Sequence, residues 1–363
     1  MMGWWSFSLA ALSARVVVGT TWRGACIVPR TDSEGQDYFF QDGRGDGAAA
    51  DGTMWLRRIA GGRRTCRTVH APTVLLTAPP TNPVHQLMDV LWSVEALGEG
   101  VRLGRTHKVF VPMDASLNRT WLGWVLRRAY LGNRTTAQAA VELRADDGCL
   151  CFAGGLVVPE IARFRSAPPA GFSGRLRAAL VRDQRRDGSR PRALVYAHAS
   201  TRRRAWLNAG TFVARARRFG AVVAQPHDLG RLPPWRQCAL FHESDFILAA
   251  HGGHMANLVC AGPGTVVVEM ACPSRGTGWL EQIPAFFTEL NLTYSYFPAV
   301  RSSCPRHGEH DANFTIDVDA LWGHLGRLAD GRLGSFVVPP DKVRRRPRPW
   351  IATIWKRLTT PPN

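Results

Sequence analysis

Apolar and polar positions run through this chain in two rhythms, one of short unbroken apolar runs and one of helical spacing. TVLLTA (73–78) is a run of the first kind, and it ends at the turn sequence PPTNP, so it predicts a buried strand. VHQLMDVLWSVEAL (84–97) puts Leu87, Val90, Leu91, Val94 and Leu97 on one helical face. KVFVPM (108–113) predicts a second strand, and TWLGWVLRRAYLG (120–132) a helix closed by glycine. GCLCFAGGLVV (148–158) reads as a hairpin or as two short strands.

The second half repeats the alternation more regularly. RLRAALVRDQ (175–184) predicts a helix between two breaker-rich stretches, PPAGFSG (168–174) and RRDGSRP (185–191), where a domain boundary is expected. ALVYAHA (193–199) predicts a strand, RAWLNAGTFVARARRFG (204–220) an amphipathic helix, and AVVAQPHDL (221–229) a strand with its exit loop. PPWRQCALFHES (233–244) predicts a short helix, FILAA (246–250) a strand, HMANLVCA (254–261) a short helix and TVVVEM (265–270) a strand. Strand and helix alternating in this way build parallel βαβ units, so the expected class is α/β.

The domains expected are a leader over 1–53, an N-terminal domain over 54–190, a C-terminal domain over 191–330 and a basic, Pro-rich tail over 331–363 that reads as solvated. Within the leader, WWSFSLAAL (4–12) is apolar but short, and Arg15 follows it. A membrane span needs about 20 apolar residues. The stretch therefore reads as a weak signal sequence or a misassigned start, and it is the candidate for membrane association. Residues 30–53 are Gly- and Asp-rich and predict a loop or a disordered segment, with ordered patterning from Met54.

Charge changes this picture little. The 363-residue chain carries a formal net charge of +18, and all but three of its 46 basic residues are arginine. Such a charge suits nucleic acid, but no zinc-finger or RNP-type signature accompanies it, and the arginines are scattered. Nucleic acid is therefore not an expected partner. A cleft for a doubly anionic ligand would use some of the charge. The eight cysteines are dispersed without a C-x-x-C pair, which argues against zinc and permits disulfides. Sequons at Asn118, Asn133, Asn291 and Asn313 suggest a glycoprotein of the secretory lumen, in the Golgi or endoplasmic reticulum.

Ligands of open parallel sheets bind at the carboxyl ends of strands. One such end carries HGGHMAN (251–257). Its glycines admit close approach, and the helix start behind it offers N–H groups to an anion. A metal site and a plain strand–helix turn remain alternatives on this heptad alone. Arg202, Arg203 and Arg204 lie between a strand end and a helix start, where forked guanidinium groups suit a diphosphate or form only a solvated basic run. Glu269 ends an apolar strand, where a carboxylate can accept from ribose hydroxyls or be an exposed strand-end acid. In the other half, Asn82, His85 and Asp89 span a turn and a helix start. His85 and Asp89 are i, i+4, either a surface pair or a base and its partner.

Taken in order, these stretches resemble glycosyltransferase family 61. FHESDFILAAHGGHMANLVCAGPGTVVVEM (241–270) is similar to the family's donor-site block, RRRAWLN (202–208) to its Arg-rich patch, and Asn82, His85 and Asp89 to its N-x-x-H-x-x-x-D. The resemblance implies a GT-B fold, two Rossmann-like domains facing across a cleft. It implies a hexosyl- or pentosyltransferase that moves a sugar from a UDP-sugar to a hydroxyl of a glycan or glycoprotein with inversion, without a required metal or other cofactor. On this likeness Arg202, Arg204 and Asn208 belong to the donor site. Arg202 and Arg204 would hold the diphosphate with the amides of Gly252 and Gly253. Glu269 would bind ribose, His251 and Asn257 would shape the loop, and Asp89 or His85 would be the base. His254 stands where the family pattern has glycine, and Ala256 where it has threonine. A histidine there either crowds the donor or adds a phosphate contact. A non-catalytic relative that binds nucleotide or glycan is the alternative reading.

Overall fold

The structure, a computed structural model, describes residues 66–76, 83–85, 87, 91–96, 103, 106–110, 120–131, 140–141, 149–158, 170–184, 192–198, 204–226, 228–272, 289–304 and 312–329, with four short strand backbones before residue 60. The chain divides into two compact units. One comprises Met1–Thr77, Val90–Pro112 and Ala139–Ala162, and the other Ala78–Asp89, Met113–Gln138 and Arg163–Asn363. The second unit thus includes two segments from the N-terminal half of the chain.

The first unit holds two five-stranded sheets. In one, β1 (Thr20–Trp22) pairs antiparallel with β10 (Leu156–Val158), and β6 (Thr73–Leu75), β7 (Lys108–Phe110) and β8 (Ala140–Val141) follow in parallel. The other runs β4 (Arg57–Arg58), β3 (Tyr38–Gln41), β2 (Ala25–Pro29), β9 (Cys149–Phe152), β5 (Cys66–Val69). The expected strands TVLLTA and KVFVPM are present as β6 and β7, and Val74, Leu75, Val109 and Phe110 are fully buried. Of the expected 84–97 helix, α2 (Trp92–Ala96) belongs to this unit, while the turn α1 (Pro83–His85), which starts one residue earlier, belongs to the second; Leu87, Leu91 and Val94 are buried.

Of the two readings of residues 148–158, two short strands is the one that holds: β9 and β10 enter different sheets. The turn between them requires glycine, because a Cβ at Gly154 would lie 2.1 Å from the His70 carbonyl oxygen. The Gly- and Asp-rich stretch 30–53 is not loop throughout, since Tyr38–Gln41 is β3, paired with β2. Its aromatic Tyr-Phe-Phe triplet favours a strand.

The second unit is built on one fully parallel sheet, ordered β12 (Val222–Ala224), β11 (Arg192–Tyr196), β13 (Phe246–Ala250), β14 (Val266–Ala271), β15 (Thr293–Pro298). β13 and β14 are buried at every position. Parallel strands covered on both faces need such continuous apolar runs. One face (Val195, Leu248, Val268) packs with Phe212 and Val213 of α5 (Ala209–Arg218) and Leu321 and Trp322 of α7 (Val318–Ala329). Each such buried side chain stabilises the fold by roughly 1.5–3 kcal/mol. α6 (Pro234–Glu243) opens with proline in its first turn, where the missing N–H costs nothing. α3 (Trp121–Val125) is capped by Thr120 Oγ1, which accepts from the Gly123 amide at 3.0 Å, and runs on as a π-helical stretch to Leu131. α4 (Phe172–Val181) is capped from a distance, its Gly171 and Ser173 amides donating to Glu289.

The expected 204–220 helix starts only at Ala209. Residues 205–207 spend their N–H groups elsewhere: Ala205 on Asn313 Oδ1, Trp206 on the Ala197 carbonyl, Leu207 on the Phe314 carbonyl. These long-range bonds outweigh local helix propensity. The helix expected over HMANLVCA is a 3₁₀ segment, Gly253–Cys260, with Ala261 just past its end. β15 and α7, for which the sequence raises no expectation, complete the unit.

Disulfides join Cys238 to Cys260, clamping α6 to the 3₁₀ segment, and Cys272 to Cys304, tying the end of β14 to the chain beyond β15. Cys66 and Cys151 are disulfide-bonded too. The Cys272–Cys304 bridge spans 32 residues, and closing a loop of that size restricts the unfolded chain by about 3–4 kcal/mol. Replacing both residues by alanine is expected to lower unfolding free energy by about 2–4 kcal/mol in urea titration. An unchanged midpoint would show that this bridge does not constrain the chain.

Candidate functional site

Strand order in the parallel sheet reverses at β11: the chain passes from β11 outward to β12, then returns across to β13. The carboxyl ends of β11 and β13 therefore diverge into loops on opposite sides, and open α/β sheets bind ligands in the crevice at such a point. β11 delivers Tyr196, His198 and, after residues outside the description, Arg204; β13 delivers His251, Gly252 and His254.

His251 continues the sheet by donating its amide to the Met270 carbonyl at 2.9 Å. Its side chain is set by Glu269, one strand over: His251 Nδ1 hydrogen-bonds to Glu269 Oε1, and the Tyr294 hydroxyl from β15 donates to Oε2. Glu269 is 1% exposed, so its oxygens depend on these partners.

Gly252 is extended, with φ 169°, so its need for glycine is spatial. A Cβ there would sit 3.0 Å from both His198 Nε2 and His254 Nδ1. The two imidazoles meet edge to face with centroids 5.1 Å apart, and the Tyr196 ring lies 4.7 Å from His198 and 4.5 Å from His254. His254 is 9% exposed, and neither of its ring nitrogens has a hydrogen-bond partner. Burial first, then electrostatic repulsion from the His198, His251 and Arg204 side chains, pushes this imidazole well below its ordinary value, so it is neutral at neutral pH. His198 and Arg204 are both held in the left-handed backbone region, at φ 57° and 67°. That conformation costs a non-glycine residue about 1–2 kcal/mol, and such strain collects at functional sites.

Beneath this loop Asn257 is fully buried. Its Oδ1 accepts from Trp121 Nε1, and its Nδ2 donates to Gln237 Oε1 and the His254 carbonyl, each at 3.0 Å. One side chain thereby fixes α3, α6 and the 3₁₀ segment together. Asn208 also spends its amide on protein: Oδ1 accepts from Trp206 Nε1 and the Ile316 amide, and Nδ2 donates to the Ile316 carbonyl.

The structure thus gathers Arg204, His251, Gly252 and Gly253 at one crevice, with Asn208, Asn257 and Glu269 in supporting positions behind them. Arg202, Asn82, Asp89, Asn118 and Asn133 lie outside the described residues. The backbone of His85 is described, and its turn α1 packs against Gly253–Cys260. Of the other sequons, Asn291 is partly exposed in a left-handed turn, and Asn313 Oδ1 accepts the Ala205 amide. Among the described residues no group of three or more His, Cys, Asp or Glu side chains could hold a metal ion, and no helix is long and apolar enough to cross a membrane. The sequence patterns did not single out His198, Tyr196, Tyr294, Trp121 or Gln237. Only His198, near the carboxyl end of the predicted 193–199 strand, carried a usable signal.

A family model described as Glycosyltransferase 61 matches residues 73–268, more than half of the chain. No curated protein matches it. Within the matched span, Gly252→Ala is expected to drive the His198 and His254 rings apart and cost about 1–3 kcal/mol, as overpacking does, with secondary structure unchanged by circular dichroism. Full stability of this variant in urea would mean that the rings do not close over Gly252.

Proposed function

From the premise that the chain belongs to glycosyltransferase family 61, and so is a glycosyltransferase in general terms, we propose that it transfers a sugar from a UDP-sugar to a hydroxyl of a glycan or glycoprotein, inverting the anomeric centre. The observation that carries this reading is the cluster at the β11–β13 switch, where His198 and His254 close over Gly252 and where His251 and Arg204 act electrostatically on His254. A diphosphate needs such a cluster of hydrogen-bond donors.

In the proposed reaction the acceptor oxygen bonds to the anomeric carbon as the bond from that carbon to the β-phosphate oxygen breaks. The acceptor proton passes to a base, and UDP departs with the bonding electrons. Arg202, Arg204, the His251 Nε2 edge and the amides of Gly252 and Gly253 would stabilise the growing negative charge. Glu269 would belong to the donor site as a ribose contact or by acting through His251, whose ring its buried carboxylate holds at Nδ1. Asn208 and Asn257, whose polar atoms are spent on protein, would hold the loops in shape. Asp89 or His85 would be the base. The packing of Pro83–His85 against Gly253–Cys260 supports this, since it brings the N-x-x-H segment beside the donor loop.

A two-lobed GT-B arrangement, action without a resident metal, and residence in the Golgi or endoplasmic reticulum lumen belong to the same proposal. The disulfides and sequons support the lumen.

The test is thermal unfolding with UDP and UDP-sugars, and with RNA as a control. UDP at a hundredfold excess over its Kd is expected to stabilise the protein by about 2.7 kcal/mol, RNA to give no shift, and Arg204→Ala to remove most of the effect. Absence of any nucleotide shift in folded protein contradicts the donor site. Stabilisation by UDP without release of UDP from any donor would identify a non-catalytic binding relative instead.

A further inference from the structure

Among the described residues at the β11–β13 switch, His254 has both ring nitrogens buried without a hydrogen-bond partner. It is 9% exposed and sits at the start of Gly253–Cys260. Buried polar atoms in folded proteins are nearly always paired, so two orphans on one ring point to a missing ligand. The charged and titratable groups facing that ring indicate its kind. From the loop after β11 come His198 and Arg204, and from the end of β13 comes His251, whose far side is held by Glu269. Tyr196 contributes a ring face and no formal charge. Surroundings this rich in positive charge suit an anion and disfavour a second cation.

On the donor-site reading given above, we propose that His254 is a proton-coupled contact to the donor diphosphate: neutral in the empty site, it takes a proton from solvent as the nucleotide enters, and the resulting imidazolium donates to a phosphoryl oxygen. In the empty protein, burial and electrostatic repulsion from His198, His251 and Arg204 hold the ring well below its ordinary value. An entering diphosphate screens those charges and supplies a negative one, which raises it again. The sign follows from the two states. Above the bound-state value the ring is neutral in both, and affinity does not respond to pH through this group. As pH falls through that value the complex takes up a proton and binding tightens. Below the empty-state value both forms are protonated and the response levels off. At most one proton is linked, so the limit is about tenfold in affinity per pH unit. The histidine standing in place of the family's glycine would therefore be an added contact that makes donor binding stronger in a mildly acidic compartment.

The experiment is calorimetric titration of the full chain with UDP from pH 8 to pH 5.5, in pairs of buffers that differ in ionisation enthalpy, on wild type and on His254→Gln. Glutamine retains a donor and an acceptor without titrating. Using the same nucleotide on both proteins cancels ionisation of its terminal phosphate. The expected result is net proton uptake by wild type at the acidic end and a distinctly smaller uptake by the variant. UDP binding to the variant should be about tenfold weaker at pH 6 and should approach wild type at pH 8. Equal uptake and parallel pH profiles, with UDP bound by both, overturn the role of His254 and leave the donor site standing. Absence of UDP binding to folded wild type removes the donor site and this role with it. Should the variant fail to fold, wild type decides alone: no change in its UDP affinity across the range beyond that of UDP's own ionisation, and no net proton uptake, overturn the proposal.

Discussion

A carboxylate buried in a parallel sheet sets the terms for the rest of this site. Glu269 sits inside a strand that is otherwise Val, Val, Val, Met and Ala, at 1% exposure. An isolated ion there would be prohibitively costly, and a pair is tolerated only when the remaining lone pairs are also satisfied. His251 and Tyr294 meet that demand from the strands on either side. The compensation therefore also orients the His251 ring at the mouth of the β11–β13 switch. Charge satisfaction in the core and placement of a functional side chain are one arrangement.

The loop that follows is held as firmly. Asn257 uses both ends of its amide to bind Trp121, Gln237 and the His254 carbonyl, and the Cys238–Cys260 bridge locks α6 to the same segment. A loop anchored at so many points has little freedom to rearrange on binding, which lowers the entropic cost of holding a ligand. Against that fixed floor, the unsatisfied nitrogens of His254 and the left-handed backbones of His198 and Arg204 stand out. Among the described residues, two of the three left-handed non-glycine backbones and both unpartnered His254 nitrogens lie at this one switch.

Much of the sheet could be read in the sequence because FILAA and TVVVEM are unbroken apolar runs, and both are strands as expected. β15 escaped notice because TYSYFP mixes polar and aromatic residues, and its place beside β14 shows only in the pairing. The same gap hid the nature of Glu269. It read as an acid at a strand end, since its partner Tyr294 lies 25 residues away and no local pattern joins them. Helical spacing over 204–220 was real, yet the first turn is lost to backbone bonds with residues 313 and 314, over 100 residues on. Motif order was the better guide to the site. It put Arg204, His251 and Gly252 in one place, but it could not see that His198 closes over Gly252 from the other side.

The central claim is that the HGGHMAN loop receives the diphosphate of a nucleotide sugar. A crystal structure of the protein with UDP tests it most directly. The account predicts both phosphorus atoms at the β11–β13 switch over Gly252, with phosphoryl oxygens within hydrogen-bond reach of Arg204 and His251 Nε2, and with Glu269 still bound to His251. UDP bound away from the carboxyl ends of β11 and β13, or an empty crevice in crystals grown at saturating UDP, would contradict it.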